Sequence, residues 1–115
     1  MNAQEFVDIL KQVVQDQAVS DTIENLLEPP GKRPSPEMLQ MSAFFLGLSE
    51  DQQSIFRQII HMVSETTLFG VLCVLDGVRT IEDDENKGKL RLIFAKNGSD
   101  TLLNDPNEDF LHDLL

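Results

Sequence analysis

Apolar side chains recur at helical spacing from the start of the chain. Phe6, Ile9, Leu10, Val13 and Val14 fall on one face of a helix between Ala3 and Asp16. Asn2 with Glu5 three residues later has the form of a capping box, so a first helix is predicted from Ala3. A second, separate helix is expected from Asp21 to Leu27, with Ser20 as its cap.

Prolines mark the next boundaries. Pro29 and Pro30 stop the second helix, because proline lacks an amide donor and restrains the residue before it. Ser35 followed by Pro36 starts a third helix, with Gly47 at its C-terminal end. This helix is apolar on more than one side, so we expect it to be well buried.

A long apolar region follows a second capping box, formed by Ser49 and Gln52. The fourth helix is expected to bury a stripe made of Ile55, Phe56, Ile59, Ile60 and Val63. From Leu68 to Leu75 the chain is apolar all round, which fits a buried helix or a buried strand. We favour a separate central helix from Glu65 to Leu75, broken from the fourth near Ser64 and ended by Asp76-Gly77.

The last third predicts a different structure. Asn97-Gly98 is a hairpin-turn signal between strands Leu90–Ala95 and Ser99–Leu103, with Phe94 facing Thr101 and Leu92 facing Leu103. A short strand is also expected over Gly77–Ile81. Asp105, Pro106 and Glu108 predict a last helix, on which Asp109 and Asp113 share one side.

These elements predict an α+β fold that is predominantly α. It is expected to be a single domain of 115 residues, a helical bundle around a buried apolar central helix with a C-terminal β-hairpin and a final short helix.

Charge is the strongest global signal. Twenty acidic residues stand against nine basic ones, for a net charge of −11. Such a field repels nucleic acid and anionic membranes and attracts basic proteins, although acidity can also serve solubility alone. The N-terminus lacks the features of a signal peptide and Cys73 is the only cysteine, so a cytoplasmic protein is expected.

Catalytic and metal-binding patterns are not evident, and we predict no cofactor, no metal and no enzyme activity. His61 and Glu65 share a helix face, which favours a local pair, and Cys73 lies in an apolar run that favours a buried, structural thiol. In the acidic loop, Lys87 and Phe94 occupy positions where an EF-hand needs oxygen ligands. The alternative function, an enzyme or a small-ligand binder, requires that His61, Glu65, Asp76 and Arg79 converge in a pocket.

The acidic residues concentrate toward the C-terminus. From Asn97 to Leu115 there are five acidic residues and no basic one. If this segment and the acidic loop cluster in space, they form one negative face. The predicted partner-binding residues are Glu82, Asp83, Asp84, Glu85, Asp100, Asp105, Glu108, Asp109 and Asp113.

The stretch Leu68–Arg79, with Leu103–Asp105 and Phe110–Leu115, resembles small bacterial immunity proteins of contact-dependent growth inhibition and related polymorphic toxin systems. The resemblance covers the last half of the chain. It implies a cytosolic, acidic, non-enzymatic protein that neutralises one basic toxin domain, often a nuclease. From the net charge we expect no binding to nucleic acid or membrane. The alternative from the residues is another interaction module or a homo-oligomeric regulator.

Overall fold

The computed structural model describes residues 1–115. The helices are α1 (Ala3–Leu10), a π-helical segment (Lys11–Asp16), α2 (Gln17–Leu27), α3 (Pro36–Leu46) and α4 (Glu50–Leu75). A two-stranded antiparallel sheet follows, made of β1 (Ile93–Lys96) and β2 (Ser99–Leu102), and a 3-10 helix covers Leu111–Leu114. The fold is therefore α+β and mostly α, as predicted.

The N-terminal helix is longer than predicted. The capping box is confirmed, since Asn2 Oδ1 accepts from the Glu5 amide at 2.8 Å and Glu5 Oε2 accepts from the Asn2 amide at 3.2 Å. The expected break before Asp21 is wrong, because residues 3–27 form one continuous helical run. No glycine or proline lies in that run to stop it, and a wide π-helical turn joins the two α-helical parts.

The third helix begins where it was predicted but is not well buried. Ser35 caps it, with its hydroxyl accepting from the Met38 amide at 3.1 Å, and Pro36 is its first residue. Only Ser42 and Phe45 are buried in α3, and the Ser42 hydroxyl donates to the Leu26 carbonyl of α2 at 2.6 Å. Met38 is partly buried against the same core as Phe45. Four other apolar side chains are exposed because α3 packs chiefly against α2: Leu39, Met41, Phe44 and Leu46.

One helix replaces the two that were predicted between Ser49 and Leu75. The expected break near Ser64 is wrong, since α4 runs through it without a glycine or proline at that point. The buried part of α4 comprises Leu68, Gly70, Leu72 and Cys73, while Phe69 and Val71 are exposed. The predicted buried stripe is also wrong in part, because Ile55, Ile59 and Val63 are exposed.

The hairpin is confirmed in register. Phe94 pairs with Thr101, the Leu103 amide donates to the Leu92 carbonyl at 2.8 Å, and the turn residues Asn97 and Gly98 have φ values of 53° and 75°. Two positive φ values are what a two-residue type I′ turn requires. The short strand expected over residues 77–81 is wrong, because the sheet has only two strands and neither includes that segment.

The last helix is also shorter than predicted. Asp105 does not cap a helix but accepts from the Asn107 amide at 3.0 Å in a local turn. Phe110 is extended, with φ −68° and ψ 142°, and only Leu111–Leu114 is helical. The reason is tertiary, because the buried carboxylate of Asp76 accepts from the Leu111 and His112 amides at 2.9 Å each.

Two small apolar cores hold these elements together. The first contains Val7, Leu68, Leu72 and Leu111, and the second contains Ile23, Leu26 and Phe45. They lie near opposite ends of the N-terminal helix, roughly 24 Å apart by the rise of 1.5 Å per residue. The chain is correspondingly extended, with a radius of gyration of 18.6 Å where about 13 Å is expected for its length.

Candidate functional site

An open concavity of about 530 Å³ lies between the hairpin and the start of α1. Its walls come from the return strand, the turn after it, the 3-10 helix and the residues at the N-terminus of α1. Four of the nine predicted partner-binding residues line it, namely Asp100, Asp105, Glu108 and Asp109. The structure therefore gathers the acids of the hairpin and the following turn, which are far from α1 in sequence, around one surface depression.

Two buried polar side chains hold the walls of this concavity in place. Asn104 joins three segments: its Oδ1 accepts from the Leu92 amide at 2.8 Å, and its Nδ2 donates to the carbonyls of Leu75 and Leu90 at 2.6 and 2.9 Å. Asp76 holds the following segment through the amides of the 3-10 helix. The hairpin and the acidic turn are thereby fixed to the C-terminal end of α4.

His112 adds a third contact to the attachment through Asp76. Its Nδ1 lies 2.7 Å from Asp76 Oδ2, and its ring packs between Phe69 and Phe110, with ring centroids 5.5 Å away in both cases. The Asp76 side chain is 1% exposed, so its three hydrogen-bond contacts are all made inside the protein. Asp76 is thus explained by the fold and does not point to catalysis.

The carboxylates around the concavity have no basic partner inside the chain. The ion pairs within 4.0 Å involve the N-terminal amine and the two histidines, and no lysine or arginine takes part in any of them. The N-terminus of α1 forms one wall, and the positive end of its dipole favours nearby carboxylates. The surface is anionic and its charges are free to accept cationic groups from outside.

Five predicted contact residues lie outside this concavity. Asp113 belongs to the 3-10 helix and pairs with His112 Nε2 at 3.4 Å. The prediction that Asp109 and Asp113 share one helix side is wrong, because the extended Phe110 lies between them. Glu82, Asp83, Asp84 and Glu85 form an exposed loop, in which Glu82 accepts from the Gly88 amide at 2.7 Å and Asp84 from the Asn86 amide at 3.2 Å.

The four residues considered for an enzyme do not converge. His61 and Glu65 form the expected local pair, with 3.8 Å between Nδ1 and Oε2. Asp76 caps the C-terminus of α4, fifteen residues after His61, and therefore lies roughly 22 Å from it along the helix axis. The Arg79 guanidinium lies against Gly70, where an added Cβ would come within 2.5 Å of Nη1. Cys73 is buried, as predicted.

A second open groove, of about 480 Å³, lies between α2 and α4. Arg57 and His61 of α4 face Asp16, Glu24 and Glu28 across it, so its charges are mixed. Beside it, His61 Nε2 lies 3.5 Å from the amide nitrogen of the buried Gln15, whose Oε1 has no hydrogen-bond partner.

Sequence reasoning missed three features of these surfaces. It did not find the attachments through Asp76 and Asn104, since nothing local distinguishes them from other polar residues. It did not place Asn2 and Gln4 against the hairpin, which only tertiary structure shows. It also missed the exposed side of α4. The signal for that side is the spacing of Ile55, Ile59, Met62 and Phe69, which places these apolar residues along one line of the helix.

α4 is long and apolar enough to cross a membrane by length and composition, with a mean hydropathy of 1.5 over its most apolar window, of which 22% is buried in the protein. Most of that window is therefore exposed. No protein-family model, curated protein or solved structure matches this chain.

Proposed function

We propose that this chain is a non-enzymatic immunity protein that binds and neutralises a basic toxin domain in the bacterial cytoplasm. The observation that carries the proposal is the concavity lined by Asp100, Asp105, Glu108 and Asp109, none of which is paired with a lysine or arginine. The net charge of −11 and the resemblance to immunity proteins of contact-dependent growth inhibition support the same role.

The chemistry of the concavity suits lysine and arginine side chains. A carboxylate accepts two parallel hydrogen bonds from a guanidinium, and charge-assisted bonds of this kind are the strongest that side chains make. The partner we propose is a nuclease domain, because a nuclease presents a basic surface to bind phosphates. Covering that surface with carboxylates blocks the entry of nucleic acid, and the long-range field of the chain speeds the encounter.

The division of the acids into two groups sharpens the proposal. The four carboxylates of the concavity are held on a hairpin and turn that are fixed to α4, so their positions are set before a partner arrives. Asp83 and Glu85 lie in an exposed loop and make no hydrogen bond through their side chains. We therefore expect the concavity to make the contacts and the loop to contribute only to the general field.

The test is affinity capture from the native host with three baits: the wild type, Asp100→Lys with Asp109→Lys, and Asp83→Lys with Glu85→Lys. Both double variants change the net charge by the same amount, so the second controls for total charge. We expect the wild type and the loop variant to capture the same basic protein and to inhibit its nuclease activity, and the concavity variant to lose both. Capture without inhibition, or equal capture by all three baits, contradicts the proposal.

A further inference from the structure

The exposed side of α4 carries an uninterrupted seam, made of Ile55, Ile59, Met62, Thr66 and Phe69. These residues are spaced by four, three, four and three positions, which is the spacing of the a and d positions of a coiled coil. The four apolar members are 57%, 47%, 60% and 40% exposed, in chain order. A helix with this pattern is built to pack lengthwise against another helix, yet the seam faces solvent.

From Ile55 to Thr66 no element of the chain itself covers the seam, because the intramolecular contacts of this part of α4 lie on its other sides. At the end of the seam, Phe69 contacts the His112 ring with one edge and remains 40% exposed. Arg57 and His61 line the groove shared with α2, and each lies about 160° around the helix from Ile59. Phe56 and Ile60 pack against the core formed with Phe45. Further along, Leu68 and Leu72 face Val7 and Leu111.

We propose that this seam is a dimer interface, in which α4 of one copy packs lengthwise against α4 of a second copy of this chain. Charge favours this occupant. Between Gln52 and Ser64 the chain has no acidic residue, and its charged side chain, Arg57, points away from the seam. Within the length of the seam the one acidic residue is Glu65, which lies beside Thr66 and pairs with His61 at 3.8 Å. Two chains of net charge −11 can meet here with a single carboxylate from each chain near the interface, whereas a basic partner finds few carboxylates to bind.

The exposed area matches what a stable dimer needs. The chain has an accessible surface of 8511 Å², about 2,200 Å² more than a folded monomer of its mass is expected to show. Obligate homodimers bury roughly 1,000–2,500 Å² on each chain, so the excess lies within that range. Fourteen of the nineteen exposed large apolar side chains are in the helices, so the helical part is where the missing contact belongs.

This inference is independent of the proposed toxin binding, since the seam contains none of the acidic residues proposed to contact the toxin and leaves the concavity open. It is tested by sedimentation equilibrium of the full chain, whose mass is 13.0 kDa. We expect a dimer that persists in high salt, because the interface is apolar. Ile59→Glu places one carboxylate from each copy in the apolar interface of the dimer. Because burying unpaired charges is costly, we expect the dimer Kd to rise by on the order of 100-fold or more.

The matched control is Ile81→Glu, which places the same charge at an apolar position 66% exposed and outside α4. This variant should remain dimeric. Because the monomer could lose structure when its partner is removed, Met62→Cys gives a second readout. Position 62 is the middle of the seam and meets its own copy in a parallel or an antiparallel pair, so we expect a disulfide-linked dimer on mild oxidation, and none with Ile81→Cys.

Several results would overturn the inference: a monomeric wild type at high micromolar concentration, a dimer that Ile59→Glu leaves intact, or a Met62→Cys variant that does not cross-link. Flotation with neutral phosphatidylcholine vesicles tests whether the seam binds a lipid surface instead of a second copy of the chain. A monomer that floats with these vesicles assigns the seam to lipid and overturns the dimer, whereas a dimer that stays in solution supports it.

Discussion

Replacement of Asp76 by alanine tests how the acidic turn is held against α4. In the wild type the buried carboxylate accepts the amides of Leu111 and His112 at 2.9 Å each, and His112 Nδ1 lies 2.7 Å from it. The substitution removes all three contacts at once. It also leaves two amide donors without an acceptor in a segment where Leu111 is fully buried.

The magnitude follows from these contacts. A hydrogen bond to a charged group contributes about 1.5–3 kcal/mol, so the two backbone bonds alone give about 3–6 kcal/mol. Release of the 3-10 helix into water would limit the loss, because freed amides can then bond to solvent. We therefore expect Asp76→Ala to lower the free energy of unfolding by about 3 kcal/mol and to reduce the exchange protection of the Leu111 and His112 amides.

The assay is equilibrium unfolding in urea, combined with amide hydrogen exchange at the two named positions. Asp113→Ala is the matched control, since Asp113 lies in the same 3-10 helix, its side chain is 65% exposed, and its carboxylate makes one ion-pair contact, 3.4 Å from His112 Nε2. The control should change the unfolding free energy by less than about 0.5 kcal/mol. An Asp76→Ala protein that matches this control in stability and in amide protection would refute the reasoning.

Two further predictions concern buried residues. Gln15→Met is expected to raise the free energy of unfolding by about 1 kcal/mol, because it removes a buried amide oxygen that lacks a hydrogen-bond partner. A loss of stability in urea unfolding would contradict this and show that the 3.5 Å contact between Gln15 and His61 contributes more than the unpaired oxygen costs. Leu72→Ala should lower the free energy of unfolding by about 3–4 kcal/mol, because Leu72 is fully buried. The control is Val71→Ala, since the neighbouring Val71 is 52% exposed and its truncation should lower that free energy by under about 1 kcal/mol. Equal losses of stability in thermal unfolding would contradict the assignment of Leu72 to the core.

Local signals in the sequence were sufficient where the interaction is itself local. The capping residues Asn2, Ser35 and Ser49 and the turn Asn97-Gly98 act within a few positions of the chain, and all were predicted correctly. Their hydrogen bonds and φ values follow from the residue types within a few positions, and no distant group competes for the same backbone atoms. The same holds for the hairpin register, which follows from the length of the turn.

Predictions failed where a distant residue or a missing partner decides the structure. Asp105 and Glu108 have the pattern of a capping box, but Asp76 binds the amides of Leu111 and His112, and the helix does not form. The apolar residues of α3 and the first half of α4 were expected to be buried, because an apolar stripe normally faces the core. A large part of that stripe is exposed in the single chain, and this is the observation from which the dimer was inferred.

The candidate site was predicted in composition but not in shape. The sequence shows that acidic residues gather near the C-terminus, and the structure brings Asp100, Asp105, Glu108 and Asp109 together while Asp113 and the loop Glu82–Glu85 lie elsewhere. The difference arises because the walls depend on contacts between the hairpin, α4 and the start of α1. Those contacts join segments that are up to 110 residues apart, as when the Gln4 side-chain amide approaches the Leu114 carbonyl at 3.4 Å.

The most direct measurement of the central claim is the dissociation constant between the captured basic partner and three forms of this protein at physiological salt. Asp100→Lys with Asp109→Lys is predicted to weaken binding by roughly 100-fold, because two attractive contacts become repulsive, whereas Asp83→Lys with Glu85→Lys should weaken it by no more than about threefold. Equal weakening by the two variants would mean that only the overall charge matters. No weakening by the first variant would remove the concavity from the binding surface and contradict the account.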